Sequence, residues 1–321
     1  MKVLVFGGGG YLGGSLTPLL LGEGHQVTVF DRLMFGTAAI DPVFQHPGFR
    51  LIEADMCDLA AVTRAVEGQD AVILLAALVG EPACDRDPLE TVAVNYLATL
   101  GAMKAAAYYG VKRFIFTSTD SCYGAQENVF LTEESSLQPI SLYAELKAKV
   151  EDEFLQMPRP QGFVPVILRL ATLFGLSPRM RFDLVINLLT REAVVGQGAK
   201  IFSGEQWRPL VHVHDAARAF ALALTAPAEL VDGQVFNVGS NRQNVQFKDL
   251  AQILLRVIPE AKIETVPQPP DLRDYHVCFD KIAKILHFSP ELEPSDGIAE
   301  IRQALLSGQL PNPYDQIYRN S

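Results

Sequence analysis

A short apolar segment followed at once by a run of glycines constrains the fold of this 321-residue chain more than any other feature. Residues Lys2-Val-Leu-Val-Phe6 are β-prone and typical of a parallel strand buried on both faces. Gly7, Gly10 and Gly13 then follow with the spacing G-x-x-G-x-x-G, and a helix is predicted from residue 15 to 21. Such glycines allow a tight turn, a close approach of the backbone to a ligand, and packing of the next helix on the sheet. The pattern predicts an α/β fold whose parallel sheet begins here.

An acidic residue ends the next predicted strand. Residues 25–30 alternate as a second strand, and Asp31 stands 18 residues after Gly13. A carboxylate at this position can accept hydrogen bonds from both ribose hydroxyls of NAD, and it would repel the extra phosphate of NADP. Arg32 is evidence in the other direction, because an arginine at this position could bind the extra phosphate of NADP. The order of strand, glycine loop, helix, strand and acid predicts a dinucleotide site in which NAD is favoured.

Small or polar residues follow the later strands of the predicted sheet. Asp55 follows the strand at 50–53 and could accept from an adenine amino group, although a helix N-cap is the alternative for an aspartate here. Ala76 and Ala77 follow the strand at 71–75, and Thr119 follows the strand at 113–117. Ligands of open α/β sheets lie beyond the carboxyl ends of the strands. We therefore expect these residues to line one cleft.

Tyr143 and Lys147 carry the chemistry that the sequence suggests. Four residues apart in a helix, they lie on one face. A free tyrosine has a pKa of about 10, and a nearby ammonium lowers it. The pair can thus form a base that takes a proton from a sugar or alcohol hydroxyl. The spacing of this pair alone is a weak signal. It is strengthened by Thr119, which is placed to contact the same substrate oxygen, and by the glycine loop earlier in the chain.

The composition of the chain argues against several classes of binding partner. The net charge of −10 argues against a nucleic-acid surface, and the longest apolar stretch, 71–79, is too short to span a membrane. The predicted strand at Lys2 leaves no room for a signal peptide. Four scattered cysteines have no metal-ligand or disulfide spacing, and His212 and His214 lack a third ligand nearby. We expect a cytoplasmic protein with reduced thiols, no metal, and no nucleic-acid or membrane partner.

Together these motifs resemble the extended short-chain dehydrogenases/reductases, in the group of NAD-dependent nucleotide-sugar epimerases and dehydratases. The resemblance spans nearly the whole chain. It implies a Rossmann-type doubly wound parallel sheet with a smaller C-terminal substrate lobe. Residues 1–175, with about 200–240 returning to the sheet, would form the NAD domain, and 176–199 with 241–321 the lobe. The resemblance rests on the following residues: the Gly7–Gly13 loop, Asp31, Asp55, Leu75–Ala77, Asn95, Thr117–Thr119, Tyr123–Gly124, Tyr143, Lys147, 168–175, 208–215 and 235–239.

The resemblance also implies a role for each site residue, a nucleotide-diphosphate sugar as substrate, and a homodimer that pairs the helix near 95–107 with the helix carrying Tyr143. The catalytic residues would be Thr119, Tyr143 and Lys147. The cofactor-binding residues would be Gly7, Gly10, Tyr11, Leu12, Asp31, Arg32, Asp55, Met56, Leu75, Ala76, Ala77, Asn95, Thr117, Tyr143 and Lys147. The substrate-binding residues would be Thr119, Asp120, Tyr143, Thr172, Asn187, Arg208 and Arg273.

Two departures from the family pattern bear on the reaction. Family dehydratases resemble Thr-Asp-Glu at the end of the fifth strand, whereas this chain has Thr119-Asp120-Ser121 and so lacks the glutamate base. An epimerase acting through a 4-keto hexose is therefore favoured. A 4,6-dehydratase, a 4-ketoreductase and a non-catalytic NAD-binding sensor are the alternatives. Thr172 stands where the galactose-type epimerase has an asparagine, so the sugar nucleotide can differ from UDP-glucose.

Overall fold

The computed structural model describes residues 1–126, 130–202, 206–266 and 275–320. Its strands are β1 Lys2–Phe6, β2 Gln26–Asp31, β3 Phe49–Glu53, β4 Ala71–Leu74, β5 Arg113–Thr119, β6 Phe130–Leu131, β7 Val164–Leu170, β8 Thr172–Phe174, β9 Ala199–Phe202, β10 Trp207–His212, β11 Gln234–Val238, β12 Asn244–Gln246, β13 Ile263–Val266 and β14 His276–Val277.

The helices alternate with the strands through the first two thirds of the chain. They are α1 Gly13–Gly22, α2 Leu59–Val66, α3 Glu81–Arg86, α4 Pro88–Val92, α5 Thr99–Tyr108, α6 Leu142–Gln156, α7 Val185–Val194, α8 Val213–Thr225, α9 Ala228–Val231, α10 Phe247–Val257, α11 Asp280–Leu286 and α12 Pro294–Leu306. A π-helical turn, Ala93–Ala98, joins α4 to α5, and short 3-10 turns occur at Asp41–Val43, Asp120–Tyr123, Asn241–Gln243 and Gln316–Tyr318.

Seven parallel strands form the central sheet, in the order β11-β7-β5-β4-β1-β2-β3. Side chains of α1 and α8 cover one face, and side chains of α2, α5 and α6 cover the other. The residues Val3 to Phe6 of β1 are fully buried, as its apolar sequence predicts. Helices on both faces of a parallel sheet make a doubly wound α/β fold, which confirms the predicted fold class.

The smaller lobe has its own apolar core, built from α7, α10, α12 and neighbouring strands. Its strands form a three-stranded sheet, β12-β10-β8, and two pairs, β13-β9 and β14-β6. Of the residues 200–240 expected to return to the main sheet, only β11 forms a strand of it. Residues 207–212 belong instead to the three-stranded sheet, where β10 pairs with β8 and β12.

The first glycine of the loop lies where two strands end side by side. Gly7 has φ of +81°, and a Cβ atom added to it would lie 2.5 Å from the backbone nitrogen of Ala76. The backbone nitrogens of Leu75 and Ala76 donate to the Phe6 carbonyl oxygen at 2.9 and 3.0 Å. The turns after β1 and β4 therefore pass so closely that only glycine fits at residue 7.

A buried ion pair joins α6 to β7, the second strand from one edge of the sheet. Arg169 of β7 contacts Glu151 of α6, with 2.6 Å between Nη2 and Oε2 and 3.0 Å between Nε and Oε1. Arg169 Nη1 also donates to the Tyr123 hydroxyl at 2.9 Å, and this hydroxyl donates to Oδ1 of Asn237 at 2.7 Å. Glu151 is one helical turn beyond Lys147, so the pair fixes which face of α6 meets the sheet.

The described ranges contain no helix that is both long and apolar enough to cross a membrane. The four cysteines, Cys57, Cys84, Cys122 and Cys278, all fall within those ranges and are free thiols.

We predict that Arg169→Met destabilises the protein far more than Arg159→Met. Arg159 forms an exposed ion pair with Asp232 at 2.8 Å, whereas the Arg169 partner is buried. Removing one partner of a buried pair leaves an uncompensated charge and lowers the free energy of unfolding by about 3–5 kcal/mol. An exposed pair contributes about 0–1 kcal/mol.

Urea unfolding followed by circular dichroism measures both losses. Equal, small losses in the two variants would show that the Arg169 network does not hold the helix.

Candidate active site

A cleft of about 630 Å³ lies at the carboxyl ends of the central strands and extends into the smaller lobe. Its walls include most of the residues that the sequence predicts for cofactor, substrate and catalysis. These are Gly7, Gly10, Tyr11, Leu12, Asp31, Arg32, Asp55, Met56, Leu75, Ala76, Ala77, Thr117, Thr119, Asp120, Tyr143, Lys147, Thr172 and Arg208.

Asp31 is held in place by the backbone around it. Its Oδ2 accepts from the Gly9 nitrogen at 2.9 Å, and its Oδ1 accepts from the Leu33 nitrogen at 2.8 Å. Burial raises the pKa of this carboxyl, and the two backbone hydrogen bonds oppose that rise. Fixed at the end of β2 beside the glycine loop, the carboxylate faces the cleft where a ribose hydroxyl can donate to it.

Arg32 forms ion pairs with two carboxylates. Its Nη1 lies 2.7 Å from Oε1 of Glu90 and 3.4 Å from Oδ2 of Asp55. These acids offset the positive charge that the sequence leaves open as a binding site for the NADP phosphate. The local charge therefore favours NAD, in agreement with Asp31.

The lining of the cleft fits NAD. The backbones after β1 and β4 approach closely at Gly7, and the side chains of Ala76 and Ala77 are small. No bulky group therefore projects from this edge of the sheet, where a dinucleotide can cross it. The hydroxyl oxygen of Thr117 is buried at the cleft and has no hydrogen-bond partner among the described residues. A buried polar atom without a partner is unfavourable, so a ligand that reaches it would complete its bonding.

Tyr143 and Lys147 meet the cleft from the first turns of α6. The Ser141 hydroxyl caps this helix by accepting from the Ala144 nitrogen at 3.4 Å. Lys147 is buried, and its Nζ donates to the Thr117 carbonyl oxygen at 2.7 Å. The same Nζ lies 5.9 Å from the centre of the Tyr143 ring. The structure thus brings the tyrosine, the lysine and the end of β5 together, as the sequence predicts.

Burial affects the pKa of both Tyr143 and Lys147. Burial raises the pKa of Tyr143, and the nearby positive charge of Arg181 opposes this rise. Burial also lowers the pKa of Lys147 to about 8. Burial of the phenol thus opposes the lowering of the Tyr143 pKa that is expected from the lysine ammonium.

The residues after β5 form a compact polar cluster at the cleft. The Ser121 nitrogen donates to the Thr119 hydroxyl oxygen at 3.1 Å. Oδ1 of Asp120 accepts from the Tyr275 hydroxyl at 3.3 Å and from the Thr119 hydroxyl at 3.4 Å. Ser121 itself lines the cleft, so a hydroxyl occupies the place where the family pattern has a glutamate.

Two asparagines predicted as direct ligands support the walls instead and do not line the cleft. Asn95 exchanges hydrogen bonds with the backbone of Leu78, both at 2.8 Å, and so fixes the loop after β4. Asn187 donates to the Tyr11 hydroxyl at 3.1 Å and accepts from the Gly175 nitrogen at 3.0 Å. Their amide groups are used by protein atoms, which explains why both are buried. Arg273 lies outside the described residues.

The cleft also contains residues that the sequence did not assign to the site. Arg179, Arg181 and Asn320 line it. The two arginines were visible in the sequence as a basic turn, Ser177-Pro-Arg-Met-Arg181, which is equally typical of a solvated surface. No sequence signal places the last residues of the chain at the site.

The chain matches the model of the NAD dependent epimerase/dehydratase family over residues 3–239. It is 29% identical over 316 residues to the dTDP-glucose 4,6-dehydratase of Streptomyces niveus, covering 94% of this chain and 91% of the relative. It is also 29% identical over 255 residues to the UDP-glucose 4-epimerase of Corynebacterium glutamicum, covering 75% of each chain.

Solved structures agree with the sequence comparisons. The dTDP-glucose 4,6-dehydratase DesIV of Streptomyces venezuelae, determined with NAD bound, has a TM-score of 0.84 at 26% identity, covering 96% of this chain and 98% of the other. The family match spans most of the chain, and the dinucleotide loop, Asp31 and the Tyr143–Lys147 pair all meet at one cleft. The protein belongs to the NAD-dependent epimerase/dehydratase family, and its cofactor is NAD.

Proposed function

We propose that the protein is a nucleotide-sugar epimerase that acts through a 4-keto-hexose intermediate. Its relatives include both epimerases and 4,6-dehydratases at the same identity, so overall similarity does not separate the two reactions. The observation that carries the proposal is Ser121 in the wall of the cleft, next to Thr119, where the family dehydratases have a glutamate.

Loss of water across C5 and C6 of a sugar needs an acid and a separate base. A serine hydroxyl is a poor base for a C–H proton. Among the described cleft residues, Asp31 and Asp55 follow β2 and β3, in the half of the sheet away from β5, and Asp183 is paired with Arg181. Asp120 is then the single carboxyl group next to Thr119, and one group cannot serve as acid and base in the same step.

Epimerisation needs only groups that the cleft provides. Tyr143 takes the proton from the C4 hydroxyl, and Thr119 donates to the same oxygen as the carbonyl develops. NAD supplies the hydride acceptor and brings a positively charged ring to the site. That charge and the Lys147 ammonium act against the burial that holds the Tyr143 pKa high. After the 4-keto sugar rotates in the cleft, the hydride would return to the opposite face of C4, and Tyr143 would return the proton to the C4 oxygen.

Arg208 is the proposed anchor for the sugar nucleotide. It is buried and lines the cleft, with its guanidinium 5.5 Å from the Phe247 ring centre and 5.7 Å from that of Tyr275. An arginine fork binds diphosphate oxygens in pairs. Thr172 lines the same cleft, where a galactose-type epimerase has an asparagine, and this supports a substrate other than UDP-glucose.

Incubation of the purified protein with a panel of UDP- and dTDP-sugars identifies the reaction. We expect one of them to yield a stereoisomer of unchanged mass, observed by mass spectrometry and NMR. A product lighter by one water would identify a dehydratase. Net consumption of reduced cofactor would identify a ketoreductase, and NAD binding without turnover of any sugar would support a sensor.

Tyr143→Phe is expected to lower kcat by at least about a hundredfold, because a phenyl ring can neither accept nor return the proton. NAD affinity should stay within about twofold of wild type, since the ring and its packing remain. Stopped-flow turnover and NAD titration measure the two effects. A near-normal kcat would remove Tyr143 from the mechanism. Tyr314→Phe is the matched control, because that tyrosine is 47% exposed and does not line the cleft.

We propose that the protein forms a homodimer through α5, α6 and the π-helical turn. Large apolar side chains are exposed along this face, among them Leu97 and Tyr108. Charge substitution at such a face opposes its burial against a second copy. Leu97→Glu should shift the protein toward monomer in sedimentation velocity, whereas Leu306→Glu, which is exposed on α12, should not. A wild-type monomer at micromolar concentration would contradict the dimer.

A further inference from the structure

Arg179 is a buried cation in the wall of the cleft. It lies in the segment between β8 and α7, and only 4% of its surface is exposed. Among the described residues, no carboxylate lies within ion-pair distance of it. Arg181, two residues later, differs in this respect because Asp183 neutralises it.

Within the described ranges, the Arg179 guanidinium contacts neutral groups. It stacks on the Phe35 ring, 3.8 Å from the ring centre. Its Nη2 donates to Oδ1 of Asn320 at 2.6 Å and lies 3.4 Å from the carbonyl oxygen of Arg319. Its Nε is buried without a hydrogen-bond partner in the described part of the chain. The side chain is thus oriented by the protein, but its charge is not balanced at contact distance.

Burial is the largest influence on this group and lowers the pKa of Arg179 to about 10. The positive charge of Arg181 acts in the same direction, and the carboxylates of Asp31 and Asp183 oppose it from a distance. Buried charges in proteins are ordinarily paired or bound to an ion. A cation held in this way at the wall of a cleft is suited to an anionic group of the ligand.

The position of Arg179 identifies which part of the ligand that is. The hydroxyl of Ser177 donates to the Tyr11 carbonyl oxygen at 2.7 Å, which joins the Arg179 segment to the glycine loop. A Cβ atom on Gly14, in the first turn of α1, would lie 3.1 Å from the same hydroxyl. Phe35, on the other side, follows Asp31 in the loop after β2. Arg179 therefore faces the space between the glycine loop and Asp31, where the diphosphate of a bound dinucleotide lies.

We propose that Arg179 binds the diphosphate of NAD and that the C-terminal residues 318–320 hold it in position. The Phe182 nitrogen donates to the Tyr318 carbonyl oxygen at 2.8 Å, and the rings of these residues pack edge to face at 5.7 Å. The chain terminus is thereby fastened beside Arg179, and Asn320 itself lines the cleft. In this proposal, Arg179 contacts the diphosphate from the substrate side of the cleft, and the glycine loop contacts the diphosphate from the side of the sheet.

The sugar nucleotide also carries a diphosphate, and the experiment separates the two sources. The full-length protein, freed of bound nucleotide, is titrated calorimetrically with NAD, ADP, adenosine and UDP. Arg179→Met keeps the length of the side chain and removes its charge. Arg64→Met is the matched control, because Arg64 is exposed on α2 and outside the cleft.

Arg179→Met should weaken NAD and ADP by about 10- to 100-fold, the effect of losing a charge-assisted hydrogen bond. Adenosine, which lacks phosphate, and UDP should bind as they do to wild type and to Arg64→Met. Unchanged affinity for NAD and ADP would overturn the proposal. So would a loss confined to UDP, which places Arg179 on the substrate, or an equal loss for adenosine, which indicates a structural defect.

Asn320→Ala tests the C-terminal part with little risk to folding, since residue 320 is only partly buried and lies outside the helices and strands. It removes the acceptor for Nη2 and should weaken ADP by about 3- to 10-fold while adenosine is unchanged. Wild-type ADP affinity in this variant would overturn the role of the terminus. Because adenine nucleotides alone report these effects, the outcome is independent of which sugar the enzyme converts.

Discussion

The ion pair between Arg169 and Glu151 determines where the catalytic helix lies. It is buried between β7, the second strand from one edge of the sheet, and α6, and through the hydroxyl of Tyr123 it reaches Asn237 on the outermost strand, β11. A charged pair at this depth is stable only with its full set of hydrogen bonds, so it permits few alternative placements of the helix. Lys147 and Tyr143, one and two turns earlier on α6, are consequently presented to the cleft by a contact that lies outside it.

The parts of the fold and site that could be predicted from sequence are those that depend on neighbouring residues. The glycine spacing and the acid at the end of β2 act within one strand–turn–helix unit, so they could be recognised locally. Arg32 could not be interpreted in this way, because its partner Glu90 is 58 residues distant. Asn95 and Asn187 are polar residues near the site, yet backbone groups brought together by the fold use their amides. Spacing identifies a residue type at a place, but not which neighbour receives its hydrogen bonds.

Burial is the common cause of the unusual ionisation in the cleft. It raises the pKa of Tyr143 and of Asp31, and it lowers that of Lys147 and Arg179. Each of these groups is thereby shifted toward its neutral form in the protein alone. A dinucleotide in this cleft would bring charges of both signs to this set, anionic at its diphosphate and cationic at its nicotinamide. In the proposed mechanism, these charges would couple cofactor binding to the ionisation of Tyr143.

The cleft is bounded by residues from both ends of the chain, Gly7 and Asn320. During synthesis the glycine loop leaves the ribosome first, and the β-strands that surround it can assemble while later segments are still being made. Asn320 is synthesised 313 residues after Gly7. The nascent protein can thus build the sheet before it can complete the wall around its cofactor.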